Sequence, residues 1–458
     1  MSLSIQSVRD LLGEHGLSAV IIPTGDPHSS EYPCPHWELR KALCPFTGSA
    51  GCVVITSDKA LLWTDSRYWE QARVELEGTL FTLMRDGDPA TPRLTPWLCE
   101  NLPVSSRIGI DADSYALKPF SKLQTALKTR GMTLGDVSEA LYALWDNRPE
   151  LQAVPVLPFE SGQRPRSEKF ALTRVAMKKA GADTLLVSAL DDVAWLCNLR
   201  GSDLPNTPVF LAYLLIRAEV ADLFINLRKL GPATVASLRK DSVRCHPYEA
   251  ISEALRELSP DTVFFVDPAQ MNAHLYQSVA NGVRIVTGTN PVTVLKTRKN
   301  PEELALIQES MVDEGLALVS LFSWIENQTT RGVVLSEWDV SEKLLELRKQ
   351  SPRFIETSFT TIAAVGANAS QPHYAPSPKK SDPLTPGTML LLDSGGQYLT
   401  GTTDITRTIG IGPVSEAMKK DYTTVLRAHI ALAKARFPTG LHAGRLDSLA
   451  RSPLWQAG

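Results

Sequence analysis

Residues Met389–Thr408 read Met-Leu-Leu-Leu-Asp-Ser-Gly-Gly-Gln-Tyr-Leu-Thr-Gly-Thr-Thr-Asp-Ile-Thr-Arg-Thr. An apolar run, Leu390 to Leu392, ends at Asp393, and a second strand-like run carries Asp404. Between them stand Gly395, Gly396 and Gly401, a residue type that turns sharply because it tolerates positive φ. Two carboxylates on neighbouring strands at the end of an apolar core need a counter-charge, and a divalent cation supplies the most. Residue types alone leave two readings open, a dimetal site or a solvated hairpin.

Working outward, Thr402, Asp404, Thr406 and Thr408 share one face of the second strand by the two-residue period, and Ile405, Arg407, Ile409 and Ile411 share the other. Threonine hydroxyls beside a metal carboxylate can orient it. The same face can also simply meet solvent. Just upstream, His373 lies in a proline-fixed loop, Gln371-Pro372-His373-Tyr374-Ala375-Pro376. A loop histidine near a metal site can bind or polarise a substrate carbonyl, because both its forms are accessible near neutral pH.

The rest of the chain bounds the setting. Its 458 residues exceed what one core usually holds, so two or three domains are expected. An apolar content of 43% and a charged content of 21% belong to a soluble globular protein. A net charge of -3 points to neither a nucleic-acid nor a membrane partner. The six cysteines (Cys34, Cys44, Cys52, Cys99, Cys197, Cys245) show no C-x-x-C pair, so buried free thiols in a reducing compartment are expected. Met1–Leu12 lacks the pattern of a signal peptide, and the most apolar stretch, Val209–Ile216, is too short to span a bilayer. The expected location is the cytoplasm.

Read in order, the chain alternates helices and strands, an α/β pattern. Ile5, Val8, Leu11 and Leu12 mark a helix capped by Gly16, leading into a buried strand at Ala19–Ile22. Cys52–Thr56 and Ala60–Thr64 read as a hairpin, followed by a helix from Arg67 to Leu76. Asp146–Arg166, rich in proline and charge, reads as an irregular linker. Beyond it the order repeats: a helix at Ser167–Lys179 leads through Gly181 into Thr184–Val187, and Leu196–Ser202 echoes Leu43–Ser49 ahead of strands at Val209–Ile216 and Glu219–Phe224. That shared order points to duplication of an α/β module. A second break falls near Thr287–Pro291. Asn300-Pro301-Glu302-Glu303 then starts a helix that runs through Leu304, Ile307, Met311, Leu318 and Phe322. Another runs from Ser336 through Leu347, Phe354–Val365 is strand-like, and a last helix covers Glu416–Phe437.

The segment Leu391–Thr408 closely resembles the first metal-ligand hairpin of cytosolic aminopeptidase P (Xaa-Pro aminopeptidase), of the creatinase/prolidase "pita-bread" superfamily. Ser49-Ala50-Gly51, Trp63-Thr64-Asp65-Ser66-Arg67-Tyr68, Trp195–Asp203 and His373-Tyr374-Ala375-Pro376 resemble the same family in the same order. The resemblance implies two creatinase-type N-terminal α/β domains, residues 1–160 and 161–288, and an incomplete pita-bread metallopeptidase domain, residues 289–458. It further implies that Asp393 and Asp404 are ligands of a two-manganese centre, Asp404 bridging the ions, that His373 contacts substrate near the scissile bond, and that Arg67 binds substrate. The implied reaction is hydrolytic release of the first residue from peptides with proline second, by a homodimer.

The family pattern continues with a His-Gly-Thr-Gly-His-Gly run and two later glutamates, which do not occur here. After Glu416 the acids are Asp421 and Asp447 and the histidines His429 and His442. A truncated chain, weak metal binding and no peptidase activity of the chain alone are therefore expected. The alternative is a non-catalytic pita-bread interaction protein, against which the joint presence of Arg67, His373, Asp393 and Asp404 counts.

Overall fold

The run Ala19–Ile22 sorts its side chains onto two faces. In the computed structural model, which describes residues 3–159 and 162–458, Val20 and Ile22 pack with Val53, Ile55 and Leu62 on one side of a sheet. Ala19 and Ile21 pack with Val54, Leu61 and Trp63 on the other. Helices cover both faces, so a strand buried on both sides is apolar throughout. The six strands run in the order β4-β3-β2-β1-β5-β6. They are β1 (Ala19–Pro23), β2 (Cys52–Thr56), β3 (Ala60–Thr64), β4 (Thr82–Arg85), β5 (Arg107–Ile110) and β6 (Thr133–Asp136). The helix before β1, Ile5–His15, is boxed by Ser4 and Ser7 and stops at Gly16, whose φ of 61° suits glycine.

A two-residue ladder of β7 (Leu157–Pro158) and β9 (Leu199–Arg200) leads into a second six-stranded sheet. It is built from β8 (Thr184–Val187), β10 (Ala212–Ile216), β11 (Ala221–Ile225), β12 (Val243–His246), β13 (Val263–Val266) and β14 (Arg284–Thr287). Its order, β12-β11-β10-β8-β13-β14, is that of the first sheet with β8 in the place of β1. The two sheets thus share one topology, the relation that the repeated order of elements anticipates. The expected strand at Val209–Ile216 is shorter than its apolar run: β10 begins at Ala212, while Val209 to Leu211 are buried without joining the ladder. The boundary expected between residues 160 and 161 lies outside the described residues.

The remaining sheets form against two helices, Pro301–Thr330 and Glu337–Arg348, each opened by a reciprocal cap, Asn300 with Glu303 and Ser336 with Asp339. The stretch Phe354–Val365 divides into β15 (Phe354–Thr357) and β16 (Ile362–Val365), which belong to different sheets. The expected single hairpin divides as well. β17 (Thr388–Ser394) and β20 (Ile405–Ile411) pair with each other beside β16, whereas β18 (Gly396–Tyr398) and β19 (Gly401–Thr402) form a second three-stranded sheet with β15. The chain crosses between sheets at Gly395, where a Cβ would stand 2.0 Å from the Thr403 carbonyl oxygen and 2.3 Å from Ser358 Oγ. Only glycine permits that approach.

This crossing corrects the threonine face. Thr402 lies opposite Gln397 in the second sheet, and Asp404 precedes β20 instead of lying within it. Thr406 and Thr408 alone keep the shared face, opposite Asp393 and Leu391. The last helix also stops short of Phe437, at Ala433, and a further helix, Asp447–Ala457, packs back on it. The long helix buries Ser310, Glu314, Ala317, Leu318, Leu321 and Ile325, while Leu304 and Met311 are exposed. All six cysteines are free thiols. Among the described residues no helix is long and apolar enough to cross a membrane.

Candidate metal centre

Alternation along β17 decides what each face of its sheet does. Leu390 and Leu392 pack with Val340 and Leu344 against the two helices, and Leu391 joins Ile362, Ala364 and Tyr374 on the opposite face. By the same period Asp393 continues the second face and Ser394 the first. Asp393 sits between Ile362 of β16 and Thr406 of β20. Its Oδ1 is buried and accepts no hydrogen bond among the described residues. Burial raises the Asp393 carboxyl above the usual carboxylate range, and the Asp404 charge adds to the rise, against Thr406 and the His373 ring. Asp404 itself is exposed.

His373 reaches this face from a loop fixed by its neighbour. The Tyr374 hydroxyl, buried, donates to Glu337 Oε2 at 2.8 Å. Glu337 is fully buried and also accepts the backbone N–H groups of Val365 at 2.7 Å and Asp382 at 2.8 Å. A buried carboxylate with that many donors is a rigid anchor. The His373 ring then stacks on Tyr68, with centroids 5.0 Å apart and planes 22° from parallel. Burial lowers the imidazole below its ordinary value and the Arg67 cation lowers it further, against Glu31, Asp65 and Asp393.

Tyr68 and Arg67 come from the first sheet, just past β3. Tyr68 is buried, edge-on to Phe46 at 5.7 Å, with its hydroxyl 2.6 Å from Ser49 Oγ. Gly48 makes room for this pairing, since a Cβ there would lie 2.2 Å from the Phe46 ring and 2.7 Å from Tyr68. The buried Arg40 guanidinium donates to the Phe46 and Gly48 carbonyls and so holds the same turn. Arg67 forks onto Asp65, Nε to Oδ1 at 2.9 Å and Nη2 to Oδ2 at 2.8 Å, which lowers the Asp65 carboxyl. The second sheet's unit touches the crossing through Asn206, whose Oδ1 accepts from Thr357 Oγ1 at 3.0 Å and whose carbonyl accepts from Gln397 Nε2 at 2.9 Å.

The structure therefore brings Asp393, Asp404, His373 and Arg67 to one place, built from the first unit and the aspartate-bearing unit. Two carboxylates, one with a buried oxygen free of hydrogen bonds, suit a hard divalent cation. Among the described residues no group of three or more His, Cys, Asp and Glu side chains could enclose one. Asp421, His429, His442 and Asp447 are exposed on the last helices and the turn between them. Sequence reasoning assigned no role to Tyr68, Glu337 or Thr403, nor to the buried pair of Glu314 and Arg348 behind the sheet. The motif that contains Tyr68 could have pointed to it. The helical carboxylates look like solvated positions until their partners, far away in sequence, are known.

Comparison with known proteins places the chain in a family. The description Creatinase/Prolidase N-terminal domain matches residues 5–144 and again 147–303, and Metallopeptidase family M24 matches residues 306–458. The Xaa-Pro aminopeptidase ApepP of Drosophila melanogaster is 35% identical over 97% of this chain and 73% of its own length. Xaa-Pro aminopeptidase 1 of Dictyostelium discoideum is 34% identical over 100% of this chain and 75% of its own. The crystal structure of X-prolyl aminopeptidase from Caenorhabditis elegans, described as a cytosolic enzyme with a di-nuclear active site, superposes with a TM-score of 0.93 at 30% identity, covering 99% of this chain and 77% of that one. The N-terminal domain of FACT complex subunit SPT16 from Cicer arietinum, at 14% identity and a TM-score of 0.50 over 64% of this chain and 76% of that one, shares the fold alone.

Proposed function

The chain belongs to the Xaa-Pro aminopeptidase family of M24 metallopeptidases, and from that premise we propose that it serves the release of the N-terminal residue from peptides with proline second. The family membership supports a divalent metal and peptide substrates; manganese, a cytoplasmic location and a homodimer are part of the proposal. The observation that carries the site assignment is the buried, unpartnered Oδ1 of Asp393 beside Asp404. In this reading Asp393 and Asp404 hold one side of a two-manganese centre. When bound, such ions polarise the scissile carbonyl and make water a nucleophile near neutral pH.

The chain's own residues do the rest. His373, whose imidazole is shifted below its ordinary value by burial and by the Arg67 cation, contacts the substrate at the scissile bond, where it can hydrogen-bond the carbonyl or the departing nitrogen. Its stacking on Tyr68 fixes the ring plane. Arg67, partly exposed and already forked by Asp65, presents its remaining N–H groups to a peptide carboxylate or carbonyl. Because the described residues supply only this carboxylate pair, the chain by itself binds manganese weakly and does not turn over.

The test uses the chain with Mn2+ and an Ala-Pro-Ala peptide, with Ala-Ala-Ala as control. Saturation-transfer NMR is expected to show binding of the proline peptide only, lost in Arg67→Ala. Equal binding of the two peptides overturns the proline reading. Manganese-dependent cleavage by the unaltered chain overturns the claim that the pair alone is insufficient and leaves the substrate class standing.

A further inference from the structure

Behind the sheet, on the face opposite Asp393, two charged side chains are buried together: Glu314 on the long helix and Arg348 at the end of the next, both with no exposed side-chain surface. Arg348 Nη2 donates to Glu314 Oε1 at 2.5 Å and Nε donates to Oε2 at 3.1 Å. Burying such a pair gives little stability, since well-packed apolar residues of the same volume often do as well. Arg348 Nη1 is also buried without a hydrogen-bond partner among the described residues, which makes the pair costlier still. Its contacts point to a different role.

Arg348 Nη2 also donates to Ser394 Oγ at 2.9 Å. Glu314 Oε2 accepts from Thr403 Oγ1 at 3.0 Å and from the Tyr398 hydroxyl at 2.9 Å. Ser394 follows Asp393, and Thr403 precedes Asp404. The one ion pair thus grips both segments that bear the aspartates, each at the residue next to the carboxylate. Thr403 closes the loop by accepting the Gly396 N–H on Oγ1 at 2.9 Å, while its own N–H donates to the Gly396 carbonyl at 2.9 Å. With both helices packed and every Glu314 oxygen occupied, neither segment can slide without breaking a charge-assisted bond.

We propose that the Glu314–Arg348 pair, acting through Ser394 and Thr403, is the positioning element that sets the separation of Asp393 and Asp404 and thereby their joint hold on a divalent cation. The inference rests on the assignment of those aspartates as metal-binding. A pair that merely fills the core would be indifferent to the loss of one hydroxyl at Thr403 or Ser394. A pair that spaces the carboxylates would transmit that loss to the metal.

The test measures Mn2+ binding to the 458-residue chain by water-proton relaxation enhancement, alongside the thermal midpoint in the absence of metal. Thr403→Val is expected to weaken Mn2+ binding about 10- to 100-fold, the usual consequence of losing a group that orients a ligand. Thr403→Ser, which keeps the hydroxyl, is expected to bind like the unaltered chain. Ser394→Ala tests the other end and is expected to weaken binding even if Thr403→Val does not fold. Unchanged Mn2+ affinity in whichever of Thr403→Val and Ser394→Ala fold overturns the proposal. If Asp393→Asn leaves Mn2+ binding unchanged, the aspartate assignment itself fails and the proposal falls with it.

Discussion

The two six-stranded sheets and the aspartate-bearing sheet are built on different principles. In the first two, strands such as β1 and β10 are buried on both faces against apolar clusters, and buried charges such as Arg40 and the Lys229–Asp203 pair lie in the segments beside those strands. In the third, one face of β17 packs on Leu318, Val340 and Leu344 and then, at its end, on an ion pair. The other face carries Asp393, whose Oδ1 has no hydrogen-bond partner among the described residues. Apolar packing tolerates small shifts, because dispersion is non-directional. A hydrogen-bonded charge pair does not, because its energy depends on geometry at each contact. At β17 a directional charge pair meets the strand that bears Asp393, whereas β1 and β10 are held by apolar contacts on both faces.

The largest expected effect that would break this contrast is at the pair. Glu314→Ala leaves Arg348 charged, buried and alone, and is expected to cost about 3–5 kcal/mol in denaturant unfolding, against about 0.5–1.5 kcal/mol for Ile21→Val in the first sheet. Similar costs at the two positions would show that the third sheet is held together as the others are. A smaller effect is expected at Tyr374→Phe. It removes one hydrogen bond to the buried Glu337 and should cost about 1.5–3 kcal/mol, while releasing the His373 loop so that peptide affinity falls further than stability does. Peptide binding by Tyr374→Phe as tight as by the unaltered chain would separate the anchor from the site.

The smallest effect sharpens the comparison from the apolar side. Where the first two units meet, His274 Nδ1 lies 2.8 Å from Asp136 Oδ2 and 3.9 Å from Asp113 Oδ1. The hydrogen bond to Asp136 raises the imidazole above its ordinary value, with Asp113 adding to it against burial. The folded state therefore holds the proton more tightly than the unfolded chain. Its contribution is fully present below a pH of about 6.5, the ordinary histidine value, and fades as pH rises through the folded value. Unfolding of the unaltered chain and of His274→Gln between pH 5 and pH 9 should converge at the alkaline end. A constant gap between the two curves would remove His274 from the junction's pH response.

Much of this was legible in the residues. The apolar runs at Ala19–Ile22 and Thr184–Val187 announce doubly covered strands, and the shared order of helix, strand and hairpin announces two modules of one design. The four candidate site residues, Arg67, His373, Asp393 and Asp404, stand out in the sequence through short motifs. What escaped was long-range. Gly395 signals a turn, but not that the turn carries the chain from one sheet to another, which depends on the Thr403 carbonyl passing 2.0 Å from where a side chain would begin. Glu314 lies beside Asp313 on a helix, and nothing local says that one faces Arg353 at the surface while the other is buried against Arg348. Helical spacing sorts apolar positions well. It says little about a charge whose partner is contributed by a different helix.

The ring of Tyr68 lying under His373 gives the first unit an influence on chemistry it does not itself perform. The helix Trp69–Glu75 begins at the very next residue, so a motion of that unit is transmitted directly to the plane of the imidazole. A ligand that locks the imidazole is expected in turn to slow amide hydrogen exchange along Trp69–Glu75. Site occupancy can thus be followed from a remote helix, with no turnover required.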